Sequence, residues 1–318
     1  MVNKFEIGFD CPGNGVRALC SAALVLLLLA ALASGCSVRS LALNSMGDAL
    51  AASGAGFGAD DDPELIRAAA PFSLKLMESL LVEAPGHTGL LGAASSGFTQ
   101  YAYAFVQQDA DVLESRDAGA ARRLRDRARG LYHRARDYGL RALEQKYPGL
   151  RAQLEADPET ALYRLAQEDA SQLYWTAVAW SAAISLSKTS PMAVADLRLV
   201  DPMIKRLKEL DPNMDYGALH TFLVSYETGR PGARDAEAQA RYHFEEAVRV
   251  SGGHKSAPYV ALAENVSVAI QDKREFVALL ERAAAIDISR RPEWRLENII
   301  MQRRVRWLLT QIDQLFLE

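Results

Sequence analysis

The sequence predicts an all-α protein built as a stack of helical hairpins, about twelve helices in all. Three observations lead there. Ala240, Phe244 and Ala247 fall at i, i+4 and i+7 and share one helical face, and Phe276, Leu280 and Ala283 repeat the spacing 36 residues later. Each set follows a second apolar face, Leu219, Phe222, Leu223 and Tyr226 before the first, Tyr259, Leu262, Ala263 and Val266 before the second. Alanine, leucine, arginine and glutamate dominate the chain and favour helix, and no run alternates apolar and polar residues with β-branched enrichment.

This spacing is how the second helix of a tetratricopeptide unit, ideally about 34 residues long, packs on its own first helix and on the next unit. One such hairpin cannot bury both of its faces, so further units are expected. The chain has 318 residues, 49% hydrophobic and 24% charged, enough for one large helical domain or two small ones. A formal net charge of -4 gives no bulk argument for nucleic acid, and no nucleic-acid partner is expected.

The first element is an uncharged run from Ala18 to Ser37, with Arg17 just before it and almost pure leucine and alanine from Leu24 to Leu32. Its apolar core is shorter than the roughly twenty residues that cross a bilayer, and it suits the hydrophobic region of a signal peptide better than a short membrane anchor. It ends in Leu32-Ala33-Ser34-Gly35-Cys36, which resembles the lipobox of bacterial lipoproteins, with Ala33 where leucine is commoner. In that pattern the cysteine is diacylated and becomes the first residue, so Cys36 is the expected lipid attachment and membrane anchor. Residues 1–35 are read as signal peptide, 36–59 as a lipidated flexible tether and 60–318 as the helical domain. Cys11, Cys20 and Cys36 all precede that domain, so it holds no disulfide and no thiolate metal site. The glycines of Ser53-Gly54-Ala55-Gly56-Phe57-Gly58 have no strand before them and no lysine after them, which rejects a phosphate-binding loop.

Asp60-Asp61-Asp62-Pro63 starts the first helical region, to residue 84, with Pro71 dividing it. Leu90–Val112 makes a second helix and Asp117–Tyr147 a long arginine-rich third. Interleaved Asp126, Asp137 and Glu144 make its arginines a solvated face with i, i+4 pairs; contact with anionic headgroups is the alternative. Leu162–Leu186 carries Tyr174, Trp175 and Trp180 on an alanine background, which favours closely packed helices over a ligand cavity. Val194–Leu210 follows, then the two hairpins described above, and Pro292–Phe316 closes the stack. Repeat units starting from Ala135, Val200, Ala240 and Phe276 fit the pattern, with an insertion in the first interval.

Little in the sequence carries chemistry. The five histidines, His87, His133, His220, His243 and His254, make no metal spacing, so no metal or other cofactor is expected. His243 with Glu246 at i+3 reads as a surface pair, and Gly92-Ala93-Ala94-Ser95-Ser96-Gly97 is not a nucleophile elbow. No catalytic constellation emerges, and the protein is read as a non-enzyme. Taking Tyr226 and Val266 as matching packing positions, the inward face of the first helices carries His220, Val224 and Glu227, then Val260, Glu264 and Ser267. Such faces bind partners in solenoids of this class. His220, Glu227, Glu264 and Ser267 are therefore candidates for partner or ligand binding, with Trp175 and Trp180 walling the apolar part.

Three blocks resemble the T component of tetratricopeptide-associated TRAP transporters. One runs from Leu173 through Trp180 to Ala183-Ile184-Ser185-Leu186-Ser187; the second from Gly229-Arg230-Pro231 through Ala240 to Ser251-Gly252-Gly253; the third from Pro258-Tyr259-Val260 through Ile286-Asp287 to Arg295-Leu296-Glu297-Asn298 and Arg306-Trp307-Leu308-Leu309. Glu297-Asn298 stands where the family usually has Ala-Asn. The resemblance implies a periplasmic lipoprotein with degenerate tetratricopeptide hairpins. It also implies a homotrimer around a pore, association with the transporter's periplasmic substrate-binding protein, and a small, hydrophobic organic acid as ligand. The rival readings are a generic tetratricopeptide lipoprotein that scaffolds envelope proteins and a helical envelope enzyme.

Overall fold

The computed structural model describes residues 44–52 and 57–317, and the chain from Gly47 onward forms one compact unit. Cys36 and the apolar run before it lie outside the described residues. Within the stretch read as a tether, residues 44–52 are helical. The rest is all-α: among the described residues there is no strand.

Helix α1 spans Pro63–Glu83, and the Asp62 carboxylate caps it by accepting from the N–H groups of Glu64 and Leu65. It continues through Pro71, which was expected to divide it. The second expected helix is three pieces: α2 (Thr88–Tyr101), a π-helical turn (Ala102–Gln107) and α3 (Gln108–Leu113). Helix α4 (Ala118–Lys146) is the long arginine-rich rod. Its arginines find acids: Arg125 pairs with Asp111 and Glu114, Arg129 with Asp126, and Arg134 with Glu78. The short helices α5 (Leu150–Ala156) and α6 (Pro158–Tyr163) lead into α7 (Ala170–Ser185), α8 (Pro191–Ala195) and α9 (Leu197–Leu210), the last holding Pro202 within it.

Helices α10 (Met214–Gly229) and α11 (Ala236–Ser251) form one hairpin. The next is α12 (Ala257–Leu262) with a second π-helical turn (Ala263–Ser267), paired with α13 (Lys273–Ala284). Helix α14 (Arg295–Leu309) and the short α15 (Ile312–Leu315) end the chain. Ala135, Val200, Ala240 and Phe276 are all fully buried.

Two close approaches set the packing. Where α2, α4 and α7 cross, a Cβ on Gly139 would lie 2.1 Å from Thr176 Oγ1 and 3.0 Å from Ser95 Oγ, so only glycine admits this crossing. Where α10 begins, Asp215, Tyr216 and Gly217 take left-handed φ values of 43°, 54° and 88°. A Cβ on Gly217 would stand 3.1 Å from Ala247 Cα, which places Ala247 at the helix contact its spacing predicted. L-residues adopt this conformation at an energetic cost. The buried Lys255 holds the turn by donating to the Asp215 carbonyl at 3.3 Å, with Glu297 beside it at 3.3 Å.

Among the described residues two large apolar cores result, beside a smaller one around Tyr132. The first joins the end of α4 to α5, α6, α7 and α9 and takes Leu219, Leu223 and Tyr226 from α10. The second gathers α12, α13 and α14 around Phe276 and takes Val224 from α10 and Phe105 from the first π-turn.

Candidate functional site

The two π-turns bring one polar cluster together. A π-turn holds an extra residue, which re-aims the side chains around it, and such turns recur at functional sites. From the first turn comes Tyr103, 39% exposed; from the second comes Glu264. Arg304 of α14 reaches between them. Its Nη2 lies 2.6 Å and its Nε 3.0 Å from Glu264 Oε1, and its Nη1 lies 3.0 Å from Asp111 Oδ2. The guanidinium sits over the Trp307 ring at 4.3 Å. Beside Glu264, Asn265 donates to Ser225 Oγ at 3.0 Å and to the Ala261 carbonyl at 2.8 Å, tying the second π-turn to α10. At the edge of the cluster Arg67 grips both oxygens of Asp109 and stands over Phe105.

The electrostatics follow from the largely buried setting. Desolvation raises the Glu264 carboxyl above its ordinary value, and the Arg304 charge only partly opposes this. Desolvation also pushes the Tyr103 phenol up to about 12, with the Glu264 charge adding to it. Tyr103 thus stays neutral. Burial disfavours the charged Arg304, but Glu264, Tyr103 and Asp111 together outweigh that and raise its pKa. The arrangement can hold a polar or acidic group, and the half-buried Tyr101, Ala104, Ala261 and Trp307 supply apolar surface on the same core.

The other expected site residues are spread out. Ser267 is fully buried and donates to Glu275 at 2.7 Å, and Glu275 pairs with Arg241 at 2.6 Å. Glu227 is buried and pairs with Arg230 one turn along its own helix, at 2.8 Å. Trp180 donates to Asp196 at 2.9 Å under the Arg136 guanidinium, and Trp175 packs edge-on against Tyr174. Among the described residues no hydrogen bond, ion pair or ring contact links either tryptophan to Glu227 or Glu264. His220 is buried, its Nδ1 2.9 Å from His243 Nδ1. This corrects the reading of His243 and Glu246 as a surface pair: His243 is only 3% exposed and turns inward, while Glu246 pairs with Arg249. Sequence reasoning found Glu264 and missed Tyr103, Asp111 and Arg304, whose grouping depends on π-turns that leave no spacing signal. A separate surface groove of about 260 Å³ runs past Arg241, Phe244, Leu262, Glu275, Leu279 and Arg282.

Among the described residues no helix is long and apolar enough to cross a membrane. A family profile described as "TRAP transporter T-component" matches residues 59–316. The chain is also similar to an uncharacterized protein of Treponema pallidum (strain Nichols), 29% identical over 95% of this chain and 98% of that protein.

Proposed function

Because the chain belongs to the family of TRAP transporter T-components, we propose that it is a lipid-anchored, periplasmic, non-catalytic subunit that docks the system's substrate-binding protein and holds a small organic acid. Copies assemble as a homotrimer, each tethered through Cys36. The observation that carries the site is the Tyr103–Glu264–Arg304–Asp111 cluster, a largely buried guanidinium beside a neutral phenol and an apolar wall. Arg304 is shared between two carboxylates, so an incoming carboxylate competes with Glu264 for it.

The test is a calorimetric titration of the purified full-length protein with the substrate-binding protein encoded beside it. Wild type is compared with Tyr103→Phe/Glu264→Gln, and mass spectrometry follows the organic acids retained by each. Loss of a desolvated polar contact should weaken binding tenfold or more, where a rim contact barely changes it. A folded double variant that binds the partner and retains acids as wild type does rejects this site.

A further inference from the structure

Not every arginine of α4 is matched by an acid. Arg123, Arg127, Arg134 and Arg141 fall at i, i+4, i+11 and i+18 and form one row along the helix, about 27 Å from end to end. Three of them lie over aromatic rings: Arg127 over Tyr101 at 5.8 Å, Arg134 over Phe98 at 5.3 Å and Arg141 over Tyr138 at 5.4 Å. A ring under a guanidinium fixes its plane and leaves most of its donors for another partner. Among the described residues Arg123, Arg127 and Arg141 form no ion pair, while Arg134 stands 3.3 Å from Glu78. Gly130, at i+7, sits in the same row, and nothing lies within 4 Å of the Cβ it lacks. It makes an open notch between Arg127 and Arg134.

We propose that this row binds the phosphate groups of anionic phospholipids, one of them seated at Gly130 between Arg127 and Arg134, and so lays α4 against the membrane surface. Guanidinium and phosphate meet as a forked, charge-assisted pair. On α4 seven residues, about 10.5 Å, separate Arg127 from Arg134. The rings beneath them come from positions only three residues apart on α2, about 4.5 Å. The stacking therefore draws the two guanidiniums toward each other across the notch.

The charge balance suits such a ligand. Helix α4 carries nine arginines and lysines against three acids, Asp126, Asp137 and Glu144. Arg129 holds Asp126 at 3.0 Å and Arg136 holds Asp137 at 2.9 Å, so of the three only Glu144 is unmatched. Among the described residues no large apolar side chain of α4 is exposed. The row therefore lacks the apolar centre of a protein–protein interface and fits a layer of charged headgroups.

Lipid, and not free phosphate, is the source because of where the anchored chain arrives, a choice that rests on the Cys36 anchoring put forward above. Gly47 lies against His87 and Leu90, and Ala51 against Gly89, all where α1 turns into α2. Arg141, at one end of the row, donates to the Pro85 carbonyl of that same turn at 3.2 Å. Gly47 is eleven residues past Cys36, a reach of no more than roughly 40 Å. The row thus starts beside the point at which the chain comes in from the bilayer, where headgroups are held at high effective concentration.

The experiment titrates the full chain, held in a neutral detergent, with dihexanoyl-phosphatidylglycerol, dihexanoyl-phosphatidylcholine, inorganic phosphate and polyglutamate, followed by calorimetry. Phosphatidylglycerol should bind at least tenfold more tightly than the other three, and more weakly as salt is added. Arg127→Gln/Arg141→Gln should weaken it at least tenfold. Gly130→Glu, which fills an open position with a good helix former, should keep the wild-type melting temperature and weaken it as much. Lys273→Gln/Arg274→Gln removes the same charge from exposed positions on α13 and should bind as wild type does. Binding that Gly130→Glu leaves unchanged, or an equal loss in the α13 variant, overturns the proposal. Inorganic phosphate bound as tightly as phosphatidylglycerol makes this a free-phosphate site, and polyglutamate bound more tightly makes the partner an acidic protein; either overturns it. Flotation on pure phosphatidylcholine vesicles reads the anchor separately. A chain that fails to float but titrates as expected rejects the anchoring and leaves the headgroup site standing.

Discussion

His220 and His243 share one proton between Nδ1 atoms 2.9 Å apart, and both rings are shielded from water. Only one of the two nitrogens can carry the hydrogen between them, so the contact cannot form with both rings charged. Desolvation lowers both pKa values, that of His243 to about 4, with the His220 and Lys208 charges adding and Glu246 partly opposing. The sign of the pH effect follows. The unfolded chain, with a histidine pKa near 6.5, binds protons that the folded pair refuses, so stability is full above that pH and falls as pH drops toward 4. From pH 6.5 to 5 the loss should be on the order of 1–2 kcal/mol. Urea midpoints of wild type and His220→Leu/His243→Leu at those two pH values check it. The variant should lose much less than wild type, and equal losses would remove the pair as the cause. The sequence placed both histidines on helices but could not pair them. Contact between residues 220 and 243 depends on the rotation of two helices about each other, and the left-handed turn at Asp215–Gly217 sets where α10 begins.

The elements themselves were largely legible. Apolar spacing and Asp-Pro punctuation placed α1, α4 and α9 within a few residues and gave the packed faces of α11 and α13, because caps and amphipathic faces are local properties. Two features were not. Pro71 lies inside a continuous α1, and the second helix is interrupted by a π-turn at Ala102–Gln107. Both depend on what packs alongside, and the π-turns explain why three of the polar cluster's four residues went unseen. The crossing of α2, α4 and α7 is the element contact with least room. Gly139→Ala would drive a methyl group into Thr176, a β-branched side chain whose own hydroxyl is bonded to the Gln172 carbonyl. Overpacking of this kind costs about 1–3 kcal/mol. The melting temperature of Gly139→Ala should fall by several degrees; a wild-type value would mean that the three helices separate easily there.

At the scale of the whole molecule, α10 belongs to both cores. Leu219, Leu223 and Tyr226 line one face of it and pack with α7 and α9, while Val224, on the adjoining face, packs with α12 and α13. A helix buried on two faces cannot leave one core without stripping the other. Solenoids unfold piecemeal only when the interfaces between neighbouring units are weak, and here the interface is a shared element. The chain from Gly47 onward should therefore melt as one unit. Leu199, fully buried in the first core, gives the test. Leu199→Ala removes packing worth about 2–5 kcal/mol, and it lies in a different core from Trp307. With Trp175 and Trp180 replaced by phenylalanine in both proteins, the remaining tryptophans, Trp294 and Trp307, report on the C-terminal part alone. Their fluorescence transition should drop in step with the calorimetric one when Leu199→Ala is introduced. If it stays at its original temperature, the cores melt separately, and α10 hinges between them instead of joining them.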